Sequence, residues 1–433
     1  MKRLMLMAML ATSGLAQADA KQTFALDASL AYGHGADGAA RMHSLLEVRP
    51  EYTWQSDTGK AFVTSARLRL DADDDIEPGA PGYESYWSAG QPIALGDTGS
   101  LELRDAYLSV DVGAGQLRFG KQQIVWGNLD GLRVLDVINP QDFRYFIIED
   151  FDASRLTLWS AYADVSLGEW RAEFAVVPDS SGHVIPDAGA WFELRAPRFR
   201  FGAAPGGPGL PVETVRPPSG LDDTGFGVRV TRQVGTAALS LVAYSGRDPE
   251  PLGRVTAGPQ GPVVQRDLER RDTLGISADI GLGPVVLRLE HARHPDRFFN
   301  TSGVAGLDRV RRDQARSALG LDVTGPFDTF INIQYLDDRV SDAPMDLVRP
   351  KTDRLATVAL RKTVGFDTWE FLARWYRSFT DGDSMATLSV QRALGDRTSI
   401  QFEAATFRGT DTGLFGQFVD RDMATLRLTH RFR

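Results

Sequence analysis

The chain has 433 residues, 42% of them hydrophobic, with a formal net charge of −9 and no cysteine. The missing thiols exclude disulfides, thiolate metal sites and cysteine nucleophiles. The acidic balance argues against a nucleic-acid partner, which asks for a basic face.

The opening stretch, MKRLMLMAMLATSGLAQADA, places Lys2 and Arg3 ahead of an apolar run from Leu4 to Leu15 and closes on the small residues Ala18 and Ala20. That order reads as a signal peptide over 1–20, with the mature chain starting at Lys21. The apolar run is too short for a spanning helix, and no later segment is a better candidate.

From Phe24 onward the hydrophobic period is two. Phe24, Leu26, Ala28, Leu30 and Tyr32 alternate with small or polar residues. Phe62, Ala66, Leu68 and Leu70 oppose Arg67, Arg69 and Asp71, and Leu426, Leu428 and Phe432 oppose Arg427 and Arg431. One apolar and one ionic face, repeated along the chain, is a strand signal.

Tight glycine-bearing turns fall at 57–60, 112–115, 167–169, 234–237, 281–284, 324–327, 364–367 and 394–396. Each separates two alternating runs of roughly ten residues, the length a tilted strand needs to cross a bilayer. Longer polar connections cover 74–99, 127–153, 178–223, 247–271, 296–312, 338–351 and 409–421. Tyr52, Trp54, Trp170, Phe327 and Trp369 flank the short turns, where an interfacial aromatic girdle belongs. The pattern predicts an all-β fold: one transmembrane antiparallel β-barrel over 21–433, of about 18 strands, with short periplasmic turns and long extracellular loops. A secreted soluble sheet also alternates, but it would hide its apolar face and would not keep ion pairs on the opposite face through so many strands.

With apolar positions toward lipid, the predicted pore-lining residues include Arg67, Arg69, Arg104, Arg118, Arg171, Arg288, Arg374, Glu290 and Glu370. They read either as ion-pair ladders between strands or as a solute path with anion preference.

Residues 120–143, GKQQIVWGNLDGLRVLDVINPQDF, break the rhythm. The fifth strand carries Arg118, Gly120 and Gln122 on one face and ends near Trp126-Gly127. The following segment 127–153 is too apolar to float outside, so it predicts an inward-folded constriction, broken at Asn139-Pro140, with Asp130, Arg133, Asp136, Asp142 and Arg144 setting selectivity. The run from Gly120 to Ala163 resembles the segment that marks a group of bacterial outer-membrane proteins, domain of unknown function 1302, distantly similar to alginate-export porins. The resemblance implies an 18-stranded outer-membrane barrel with an arginine-rich bore. It does not imply alginate, because this interior is mixed in charge.

Other motifs carry less. GHGADG (33–38) has dinucleotide-type spacing but enters a strand, so it reads as a hairpin loop. His291 and His294 fall on opposite strand faces and His430 on the lipid side, and the acidic run 71–75 lacks spaced calcium ligands, so it reads as a solvated loop. His43 and His291 lack a catalytic partner, and no enzyme activity, cofactor or metal is expected. The 178–223 stretch, rich in Pro and Gly, reads as a long, mobile surface loop.

The sequence therefore predicts a porin-like channel in the outer membrane of a Gram-negative bacterium, passing or exporting a small solute, with an anion as one candidate. The alternative is a closed barrel that serves an export system for lipid-like or hydrophobic cargo. Expected partners are outer-membrane lipid and lipopolysaccharide, the barrel-assembly machinery, a small solute and, for export, a periplasmic or inner-membrane partner.

Overall fold

Alternation becomes a closed wall in the computed structural model, which describes residues 19–34, 40–79, 82–200, 210–215, 221, 223–259, 261–302 and 307–432. Eighteen antiparallel strands close into a barrel. In chain order they are Asp19–His34, Ala40–Ser56, Lys60–Asp71, Gly99–Val112, Gly115–Gln122, Leu158–Leu167, Trp170–Val177, Gly225–Val234 and Ala237–Arg247. Then come Arg270–Leu282, Val285–Thr301, Asp308–Thr324, Phe330–Val340, Thr352–Val364, Trp369–Ser378, Asp383–Ala393, Thr398–Arg408 and Met423–Phe432. Each pairs with its sequence neighbours, and the first meets the last, from Phe24 opposite Phe432 to Tyr32 opposite Ala424. Closure removes the unpaired edges that lipid cannot satisfy.

The segment 1–20 expected to be a signal peptide falls almost wholly outside the described residues. Its last two positions, Asp19 and Ala20, are paired with Gln55 and Trp54 at the start of the first strand.

The two faces are inverted relative to a soluble sheet. On the strand Ala237–Arg247, Leu241 is 64% exposed while its neighbours Ser240 and Val242 are each 4% exposed. Phe226, Leu274, Ile276, Leu426 and Leu428 are exposed on the same outer surface. Apolar side chains pointing out of a closed barrel require a hydrocarbon solvent, so this is an outer-membrane barrel. Among the described residues no helix is long and apolar enough to cross a membrane.

All eight predicted short turns join strands at one end. Gly113 and Gly168 have φ of 58° and 65° there, a left-handed conformation that a side chain would resist and that matches the twist of tight hairpins. At the long-loop end two expectations are corrected. The predicted loop 296–312 is mostly strand: Val285–Thr301 and Asp308–Thr324 pair past the rim, with a register shift between His294 and Arg297. The predicted surface loop 178–223 is not all surface, because its first part fills the barrel mouth, with Ala190, Trp191, Phe192 and Ala196 buried. Farther out, Val212–Thr214 joins Leu252–Gly258 and Gly261–Asp267 in a separate three-stranded sheet. The tip of GHGADG lies outside the described residues.

Candidate functional site

The fifth strand ends at Gln122, four residues earlier than expected, because the chain there leaves the wall. Asn139 fixes the departure. Its side-chain oxygen accepts from Ile124 N at 2.9 Å and its amide donates to Leu156 O at 2.6 Å, tying together the two limbs of the segment between the fifth and sixth strands. A fully buried Asn, followed by Pro140, thus makes the predicted break a staple.

The first limb crosses the bore and docks on the far wall. Three inward-facing glycines receive it. A methyl group at Gly275 would lie 2.2 Å from Leu135 Cδ2, one at Gly320 3.0 Å from Leu129 Cδ2, and one at Gly227 2.6 Å from Trp126. Each glycine is a socket for one apolar side chain. Polar tethers sit between the sockets. Glu290 accepts from Asn128 N at 2.5 Å and from Leu135 N at 3.0 Å, and Gln334 Nε2 donates to Asp130 O at 2.7 Å. Buried Ile124, Trp126, Leu129, Leu132, Val134, Leu135, Val137 and Ile138 form one apolar cluster with the wall. The second limb places Phe146 against Phe415 and Phe418 of the last long loop, with Trp191 and Phe192 completing the cluster.

Between the limbs lies an ionic centre. Asp142, fully buried, is held by Arg144 at 2.6 Å and stands 3.5 Å from Arg67 and 3.8 Å from Arg69. Arg67 also meets Glu102 at 2.8 Å and Glu149 at 3.1 Å, Arg69 meets Glu47 at 2.8 Å, and Arg144 pairs with Glu77. Burial alone would raise the Asp142 carboxyl. Arg144, Arg69 and Arg67 overcome it and hold the group well below the usual carboxylate range. Asp136 is bound by Arg155 at 2.8 Å and by Arg133 at 3.3 Å, and burial brings the Arg133 guanidinium down to about 10.

The expected pore-lining residues thus separate into two groups. Arg67 and Arg69 are 5% and 4% exposed and belong to this buried centre instead of facing an open path, because the inward loop covers them. Arg104 is likewise occupied, donating to Arg155 O at 2.6 Å, and Glu290 is a tether. Arg171 and Arg288 form cross-strand pairs with Asp164 at 2.6 Å and Asp322 at 2.8 Å. Arg118 stacks on Tyr162 at 4.4 Å. Strand alternation puts Arg118, Arg361, Arg374 and Arg427 on the inner face with Glu51, Glu370 and Glu403, and among the described residues none of these seven makes an ion pair. Of the loop ions, Asp142 meets the wall arginines Arg67 and Arg69, Arg133, Asp136 and Arg144 pair mainly within the loops, and Asp130 stays exposed.

Sequence reasoning missed Glu77, Glu102, Glu149 and Arg155, whose importance appears only once the loop is docked. It also missed Trp191-Phe192, where two adjacent large aromatics inside a Pro/Gly-rich stretch were a usable signal. The run 71–75 is not the solvated loop expected, since Asp71 and Asp75 are buried.

The family described as "Protein of unknown function (DUF1302)" matches residues 70–373, which span the inward loop, the docking wall and the ionic centre apart from Glu47, Arg67 and Arg69. The chain belongs to that family. No curated protein matches it. Among solved structures, this DUF1302 barrel is similar to Pseudomonas aeruginosa OccK2 (OpdF) in complex with glucuronate, with a TM-score of 0.52, 10% identity, and 96% of this chain and 98% of that one covered. It is also similar to Acinetobacter baumannii OccAB1, at a TM-score of 0.53, 10% identity and 96% coverage of each chain. Pseudomonas aeruginosa OccK8 (OprE) gives a TM-score of 0.52, 12% identity, and coverage of 96% and 98%. At such identities the likeness is one of fold, a large closed antiparallel β-barrel.

Proposed function

We propose that this DUF1302 barrel is a porin-like channel for the passive passage of a small anionic solute, with the inward loop 123–157 as its constriction. The observation that carries the reading is the charge left over on the inner wall. Most lumenal arginines are spent on carboxylates, but by strand alternation Arg118, Arg361, Arg374, Arg427 and Arg431 share the inner face with Glu51, Asp105, Asp111, Glu370 and Glu403, and among the described residues none of these makes an ion pair. Unpaired guanidinium groups along a narrow aqueous path raise the local anion concentration around them. Glucuronate, present in one of the similar porins, supplies a test solute of the matching class.

A second reading has its own support. The two apolar clusters formed by the inward loop with the wall and by Phe146, Trp191, Phe192, Phe415 and Phe418 at the mouth are what a closed barrel needs. Such a barrel would dock an export system for hydrophobic cargo. Planar-bilayer recording separates the two. A channel gives discrete conductance with a reversal potential on the anion side in a KCl gradient, and liposomes containing it swell faster in glucuronate than in a cationic sugar of equal size. A silent barrel favours the export reading.

A further inference from the structure

Beyond solute passage, one side-chain cluster at the long-loop end stands outside everything above. His43 lies near the start of the strand Ala40–Ser56, and Asp71 closes the strand Lys60–Asp71 that pairs with it. The chain then turns back, with Ala72 N donating to Ser44 O at 3.0 Å and Ser44 N donating to Asp73 Oδ2 at 2.6 Å. The turn brings His43, Asp71 and Asp73 together so that one donor atom from each lies within 4.8 Å of the others.

We propose that His43, Asp71 and Asp73 form a binding site for a divalent transition-metal ion, Zn²⁺ or Mn²⁺, with Asp75 as an additional carboxylate. Acidic clusters are common and carry no such claim alone. The deciding observation is a set of buried lone pairs without partners. His43 is 5% exposed, and its Nδ1 makes no hydrogen bond, standing 3.4 Å from Asp71 Oδ1 and 3.8 Å from Asp75 Oδ2. Asp75 Oδ2 is likewise buried and unpartnered. Leaving such atoms unsatisfied is costly, and a cation between them satisfies both.

The surroundings are built as metal ligands usually are. Asp71 is oriented by the N–H groups of Asp75 and Ile76, each at 2.9 Å. His43 Nε2 lies 3.3 Å from Tyr145 Oη, and with the proton on Nε2 the Nδ1 lone pair points at the carboxylates. Arg41 is the competing cation. Its Nη1 takes Asp75 Oδ1 at 2.7 Å but leaves Oδ2. Asp74 points elsewhere, accepting from Gly79 N. One imidazole nitrogen with carboxylate oxygens suits Zn²⁺ or Mn²⁺, whereas Ca²⁺ favours oxygen alone. A bound ion would clamp two strands and the acidic turn. It would also reach the inward loop through Tyr145 and the mouth segment through Trp191 N, which donates to Asp75 O at 2.6 Å.

The test is calorimetric titration of ZnCl₂ and MnCl₂ into the refolded, EDTA-stripped full-length barrel in detergent, with the visible spectrum of Co²⁺ as a structural probe. The expected result is one ion per barrel. Asp73→Asn, at an exposed position that leaves the fold intact, should weaken binding on the order of tenfold or more, and His43→Gln should abolish the Co²⁺ imidazole signature. No stoichiometric binding of either ion, binding unchanged in Asp73→Asn, or stoichiometric uptake of Ca²⁺ alone would each overturn the proposal. If His43→Gln fails to fold, the Asp73→Asn result decides.

Discussion

Leu135 N donates to Glu290 Oε2 at 3.0 Å, joining a loop that leaves the fifth strand to the far side of the barrel, 155 positions later in the chain. The same carboxylate accepts from Asn128 N, so one wall residue holds both ends of the crossing limb. Glu290→Ala leaves two amides without partners, at about 1–3 kcal/mol each. The limb should loosen, with larger and noisier single-channel currents and a lower melting temperature. Currents and stability equal to wild type would mean the limb is held by its apolar sockets alone.

The sockets are open to a direct test. Gly275→Ala places a methyl group 2.2 Å from Leu135 Cδ2, and overpacking of this kind costs about 1–3 kcal/mol. Adding Leu135→Ala should recover part of that loss, because the new methyl then fills space vacated by the leucine. A double variant less stable than both single ones would show that the two positions do not pack together.

The two classes of inner arginine should behave differently. Arg67→Ala takes one guanidinium from Glu102, Glu149 and Asp142, which keep Arg104, Arg69 and Arg144, and leaves the buried centre with surplus negative charge. It is expected to destabilise the barrel by about 3–5 kcal/mol, seen as a fall in denaturant midpoint. Arg374→Ala removes an unpaired cation and should leave stability nearly unchanged while moving the reversal potential toward cations. Equal effects on selectivity from both would contradict the division into structural and path-facing groups.

Acid should release the mouth. Gln141 N donates to His183 Nδ1 at 2.9 Å, and burial pushes the His183 imidazole down to about 3 from an ordinary 6.5. The docked segment needs neutral His183, so its contribution is complete above pH 6.5. It is lost progressively as pH falls toward 3, where the undocked form gains a proton that the docked form refuses. Melting temperatures of wild type and His183→Gln between pH 7.5 and 4 check this: the wild type should lose more stability on acidification than the variant. Parallel curves would assign the acid sensitivity to other groups.

Much of this architecture was legible in the chain. Period-two alternation gave the wall and its orientation, because each strand faces lipid on one side and water or packed polar groups on the other. The eight glycine turns gave the strand count, because a tight hairpin needs a left-handed residue at a fixed place. The excess of Leu, Val and Ile between Trp126 and Ile148 gave an inward segment, because such a surface cannot remain in water.

Only the tertiary structure decided where that segment goes and what it occupies. Gly227, Gly275 and Gly320 look like ordinary strand glycines until Trp126, Leu135 and Leu129 arrive opposite them. Arg67 and Arg69 read as path-lining cations until the loop buries them with Asp142 and Glu149. His43 meets Asp71 and Asp73 only because neighbouring strands are in one particular register. Alternation is a local property of each strand, set by its own backbone geometry. Docking, burial and charge pairing are sums over residues far apart in sequence, and they exist only once the barrel has closed.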